Sequence, residues 1–184
     1  MNRIHGNMSV SIILVIFISS ILVSISFIKI RTQKELQNIN TSKTIIYETY
    51  KKYATLALDQ KREYRIKFDY SLKSIKVFGS DNKLLENIEL PELVKYATVY
   101  GEAVLDKIDS KITINGNITP IHSIYIFGRE DVAKYRISLY GFNILKYLRI
   151  NIYKNKNDSS PKYNNILHFH KSFNAKSNKL WEKE

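Results

Sequence analysis

From Asn7 to Ile28 the chain reads NMSVSIILVIFISSILVSISFI, without one charged side chain. As a helix, residues 8–28 are about 31 Å long, which matches the roughly 30 Å hydrocarbon core of a bilayer. A water-soluble domain has no use for such a segment, so contact with a membrane is the first expectation. Three readings compete. A secretory signal peptide needs an apolar core of about 7–15 residues and a small-residue cleavage site. This run is longer, and Lys29-Ile30-Arg31 follows it. A signal anchor fits the length. The third reading is a short leader, cut before the apolar stretch so that the stretch stays on the mature protein. Flanking charge does not orient the span, because Arg3 lies on one side and Lys29, Arg31 and Lys34 on the other. The excess lies on the side that would be exported.

About 150 of the 184 residues remain beyond this segment, enough for one core. With no cysteine there is no disulfide framework, thiol nucleophile or Cys-ligated metal. The chain carries 29 Lys+Arg against 17 Asp+Glu, a formal charge of +12. The basic residues are dispersed, and such dispersion reads first as a solvated surface. From Lys29 to Gln60 neither Gly nor Pro interrupts. Leu36, Ile39, Ile46, Tyr50, Tyr53 and Ala57 recur at helical spacing, which predicts an amphipathic helix whose apolar side lies on a folded domain. Thr41 or Ser42 is a candidate cap for a restart near Asn38.

The period then changes to two. Tyr64, Ile66, Phe68 and Tyr70 alternate with Arg65, Lys67 and Asp69, the pattern of a half-buried strand. Further strands are expected at 74–78, 84–90, 96–100, 111–115, 123–127, 134–140 and 147–153, with turns at Gly79–Asn82, Asn115-Gly116-Asn117, Gly128–Asp131 and Gly141–Asn143. The expected class is α+β: a long N-terminal transmembrane-plus-amphipathic helix packed on an antiparallel β-sheet domain. The divisions are 1–6 as a short basic leader, 7–30 as the transmembrane or filament-core helix, and 31–62 as the amphipathic helix. Residues 63–154 form the β domain and 155–184 a polar, flexible tail. That tail keeps Ile166, Leu167, Phe169, Phe173, Leu180 and Trp181, which give it a means of docking.

The order of these parts resembles the type IV pilin and type II secretion pseudopilin family, in particular its minor pseudopilin H (FimT-like) and competence minor pilin branch. The resemblance covers residues 1–154. It rests on the basic leader ending in Gly6, the span running into an amphipathic helix, and the junction ATLALDQKREYRIKFDY. It rests also on NIELPELVKY and on the closing strands SIYIFGREDVAKYRISLY and YLRINIYKN. The resemblance implies cleavage by prepilin peptidase after Gly6, N-methylation of Asn7, and assembly with other pilin or pseudopilin subunits. It implies a single-pass membrane protein with its C-terminal domain outside the cytoplasm. Two departures stand out. The family usually has Phe or Met where Asn7 stands, and a Glu at the fifth mature position, where this chain has Ser11 (or Ile12, counting from Met8). That Glu neutralises a neighbouring amino terminus in an apolar filament core, where an unpaired charge is expensive.

Catalytic patterns are sparse. G-x-S-x-G, G-K-[ST], G-x-G-x-x-G and H-E-x-x-H are all missing. Neither an enzyme nor a cofactor is expected. His168-Phe169-His170 on a strand would turn both imidazoles to one face, but the better reading is a solvated pair, so no metal is assigned. His122, after Pro120, reads as a loop residue. Asp106 and Asp109 read as surface residues. The candidate nucleic-acid surface is Lys146, Lys154, Lys156 and Lys162, beside Tyr147, Tyr153 and Tyr163, with DNA as its partner. Outside the pilin family, the alternatives are a single-pass envelope scaffold or receptor, and a tethered enzyme or metal-binding protein using the His pair.

Overall fold

A computed structural model describes residues 3–141, 148–157, 159–171 and 180–184, with helix side chains described from Val10 onward. The chain divides into two compact units, Met1–Gln37 and Asn38–Glu184. Helix α1, Arg3–Gln60, contributes to both without interruption. It needs no restart at Ser42, whose hydroxyl folds back onto the Asn38 carbonyl at 2.7 Å. The helix stops at Lys61, which takes a left-handed φ of 52°.

In the second unit α1 buries Ile39, Ser42, Ile46, Thr49, Tyr50, Tyr53, Ala54 and Ala57. These positions recur at threes and fours, as the sequence pattern predicts. Leu36, in the first unit, is exposed. The buried side meets two antiparallel sheets. The first has five strands in the order β3-β2-β1-β6-β7: β1 Tyr64–Asp69, β2 Ser74–Phe78, β3 Leu84–Glu89, β6 Lys107–Ile112 and β7 Ile118–Thr119. The second has six in the order β11-β10-β9-β8-β4-β5: β4 Lys95–Tyr100, β5 Ala103–Leu105, β8 His122–Phe127, β9 Ala133–Tyr140, β10 Arg149–Asn155 and β11 Trp181–Lys183.

The main core lies where α1 meets the inner faces of both sheets. Ile66, Phe68, Ile75, Val77 and Ile112 come from the first sheet, and Tyr96, Ile124, Ile126, Ile137 and Leu139 from the second. Alternation explains the outer face of the first sheet. Arg65, Lys67 and Asp69 point away from the core and meet charges from β6, with Lys107 Nζ 2.8 Å from Asp69 and Arg65 Nε 3.4 Å from Asp109. β6 begins four residues before its expected start at Lys111, because Ser110 occupies the inward position between Ile108 and Ile112 and hides the alternation. Asp109, expected as a plain surface residue, pairs with both Arg65 and Lys67.

The second sheet is buried on both faces. Every residue of β8 is buried, which two-sided burial requires. Its outer face carries Ala97, Val99, Tyr125, Phe127 and Ala133, and a second cluster forms there with Ile166 and Trp181. The tail therefore differs from its expectation. A 3-10 turn at Tyr163–Asn165 leads into α2, Ile166–Lys171, and β11 pairs with β10 through Asn155↔Trp181 and Tyr153↔Lys183. Two of its apolar residues, Ile166 and Trp181, are the anchors that hold it. The last residue reaches α1, where Glu184 Oε2 lies 2.6 Å from Lys43 Nζ.

Two predictions follow from these burials. Trp181→Ala empties a site that is 9% exposed at the sheet edge. It should lower unfolding stability by about 3 kcal/mol, read by urea denaturation in detergent; an unchanged midpoint would remove Trp181 from the core. Burial also holds the His122 imidazole down to about 4. The folded state therefore stays neutral while the unfolded chain takes up a proton below about 6.5. Stability is complete above pH 6.5 and falls by about 3 kcal/mol as pH drops to 4. Burial and then Arg136 lower His170 to about 4 as well, adding in the same direction. His122→Gln should flatten the acid side of the stability curve.

Candidate functional surfaces

In the first unit, the side chains from Val10 to Ile30 are exposed on all sides of the helix, including Ile13, Phe17, Val23 and Ile28 at 64–68% exposure. Polar groups inside the segment satisfy themselves. Ser20 Oγ donates to the Ile16 carbonyl at 2.6 Å, Ser24 to Ser20 at 2.8 Å, and Ser26 to Leu22 at 2.9 Å. Such back-bonding gives these three hydroxyls a partner within the helix, as a helix in lipid requires. Ser20 and Ser24 also stand one turn apart on one side, a small-x-x-x-small spacing that lets another helix approach closely. The sequence reading passed over this pair. At the end of the segment the Arg31 guanidinium sits 5.3 Å from the centre of the Phe27 ring. Gly6 and Asn7 lie within the bounds of α1; the Asn7 side chain lies outside the described residues.

The four lysines of the candidate nucleic-acid surface are placed differently from one another. Lys146 and Tyr147 lie outside the described residues. Lys154, on β10, is the Cα partner of Glu182 on β11, and Lys156 Nζ is 3.5 Å from the Glu182 carboxylate. Lys162 forms a bridge with Val132 beside the start of β9. The tyrosines beside them are turned to other partners. The Tyr163 ring packs edge-on to Phe127 at 5.2 Å and receives the Lys95 ammonium at 3.8 Å. Tyr153 faces the buried Arg136 at 5.6 Å. Stacking of bases needs open ring faces, and these two rings are half-buried.

His122 and His170 are tied into the fold. His122 is the first residue of β8, not a loop residue, and it is 5% exposed. Its Nδ1 donates to the Pro120 carbonyl at 2.9 Å, so Nε2 accepts from the Tyr50 hydroxyl at 3.4 Å. His168 and His170 lie on α2 rather than a strand. Two residues apart on a helix, they do not share a face. His170 Nδ1 instead lies 2.8 Å from the Tyr125 hydroxyl. Among the described residues, no group of three or more His, Asp or Glu is placed to hold a metal ion.

No protein-family model and no curated protein matches this chain. Among solved structures it is similar to two of the minor pseudopilin EpsH from the type 2 secretion system of Vibrio cholerae. One shares 12% identity at a TM-score of 0.47, covering 61% of this chain and 95% of that one. The other shares 14% at 0.49, covering 62% and 93%. Likeness at this level assigns no function.

The apolar segment makes its own prediction. Val15→Arg places a charge near its middle, at about 2.5–3.5 kcal/mol against membrane insertion. Carbonate extraction of membranes should move a measurable share of the variant into the soluble fraction. Retention equal to the parent chain would count against a spanning role.

Proposed function

We propose that this chain is a structural subunit of a pilus-type filament, a minor pilin or pseudopilin of a type IV pilus, competence pilus or type II secretion pseudopilus. One observation carries the reading: a single unbroken helix, Arg3–Gln60, supplies both an all-round apolar surface and the buried spine of a two-sheet domain. The first property holds the subunit in the cell membrane as a single pass, with the sheet domain outside the cytoplasm. The second displays a folded head on the same helix. The role is assembly, not catalysis.

Moving such a helix from lipid into a bundle of like helices brings little hydrophobic gain, because lipid tails are as apolar as the helix. Close packing has to drive it, and the Ser20–Ser24 side is where backbones can approach. With Ser11 in place of the family's Glu, the subunit offers no carboxylate to a neighbour's amino terminus. A position at a filament tip, where no such partner is needed, suits it better than the shaft. Prepilin peptidase would cut after Gly6 and the new terminus, Asn7, would be N-methylated.

Mass spectrometry of the protein from its native membranes tests this. The expected species lacks residues 1–6 and begins with N-methyl-Asn7, and Gly6→Leu should abolish that species. An intact leader in cells with active prepilin peptidase would overturn the filament reading and leave a single-pass envelope scaffold.

A further inference from the structure

A pocket at one end of the second unit is unlike the rest of the surface. Its lining includes Tyr100, Thr113, Asn115, Thr119, Ile121 and Gly141, around a volume of about 500 Å³. That size falls within the roughly 300–1,000 Å³ of small-molecule sites. The turn between β6 and β7 places it. A Cβ on Gly116, whose φ is +68°, would meet the Ala54 carbonyl at 2.8 Å and the Leu58 side chain at 2.9 Å, so this turn lies tight on the last turns of α1. Ser42, near where the helix enters the unit, is about 24 Å away along the axis. The pocket therefore lies at the end of the unit where α1 stops.

Its walls are held by backbone. Thr113 N–H donates to the Asn117 carbonyl at 2.8 Å, and Gly116 N–H to the Thr113 carbonyl at 2.8 Å. A Cβ on Gly141 would stand 2.3 Å from the Ile118 carbonyl, so only glycine allows the end of β9 to close against β7. Chemistry then limits the ligand. A quarter of the chain is charged, yet among the described residues that line this pocket none is. An ionic ligand would find no counter-charge among them. A purely apolar ligand would strip water from the threonine hydroxyls and the Asn115 amide without replacing its hydrogen bonds. The lining also presents apolar surface to water, with Tyr100 46% and Ile121 52% exposed. A ligand that fits carries hydroxyls or amides along its edge and C–H groups on its face.

We infer that this pocket is a binding site for a neutral glycan, with the Tyr100 ring against a sugar face and Asn115, Thr113 and Thr119 exchanging hydrogen bonds with its hydroxyls or acetamide. The site is independent of how the apolar helix is processed or assembled. The test uses the full chain in lauryldimethylamine oxide micelles, which carry no sugar headgroup. Calorimetric titration with the β-1,4-linked tetramers of N-acetylglucosamine and of glucose should show saturable binding of at least one. Tyr100→Ala should weaken it tenfold or more with an unchanged unfolding midpoint; Asn115→Ala serves in its place if that midpoint shifts. Absence of saturable binding by both tetramers, or an unaltered Kd in the variant, overturns the inference. The mass of the mature amino terminus does not depend on either substitution, so this inference and the filament reading fail separately.

Discussion

Burial of one side of α1, from Ile39 to Ala57, is the contact on which the second unit depends. The inner faces of both sheets pack against it in one core. The helix supplies Ile46 and Tyr50, both 0% exposed, to the centre of a core shared with Ile66, Ile75, Ile124 and Ile137. Tyrosines within it bring hydroxyls that need partners, and each finds one inside. Tyr50 donates to His122, Tyr96 pairs with Ser42 at 2.7 Å, and Tyr70 with Thr98. These bonds tie the helix to the second sheet and the first sheet to the second. A layer that relied on apolar contact alone would be less specific in register.

The second sheet creates a further obligation. Its outer face is as apolar as its inner one at Tyr125 and Phe127, so something has to cover it. The C-terminal stretch does so, with Ile166 and Trp181 as anchors, and Glu184 carries the cover round to Lys43 on the helix. Arg136 lies beneath this cover at 6% exposure, its Nε donating to Ser138 Oγ at 2.9 Å and its guanidinium between Tyr125 and Tyr153. Stacking on two rings suits a guanidinium better than an ammonium, because it is planar and weakly hydrated. Ile166 and Trp181 of this polar segment are thus part of the domain's interior.

Function divides along the same helix. Its first part has side chains suited only to lipid or to other helices, and its second part has side chains suited only to this core. The proposed anchored head rests on that division, and the polar pocket lies in the second unit by the turn between β6 and β7. Among the described lysines of the candidate nucleic-acid surface, Lys154 and Lys156 both neighbour Glu182, and the rings of Tyr153 and Tyr163 are half-buried.

Local chemistry determined a good deal. The uncharged run, the threes-and-fours spacing through Ala57, and the period-two strands at Tyr64–Asp69 and Ser74–Phe78 were legible because each depends only on neighbours along the chain. β6 was misplaced because a serine took an inward position. His122 was read as a loop residue because Pro120 precedes it, although the strand resumes at once. The tail's apolar residues were legible as a means of docking, but the face they cover, the second core and the pocket were not. Whether Tyr125 faces water or Trp181, and whether Tyr100, Asn115 and Gly141 share one cavity, depends on strands distant in sequence being brought side by side. Residue order alone determined a long apolar helix followed by an antiparallel domain. Only tertiary pairing decided which faces are covered, because burial of a second sheet face is a property of what lands on it.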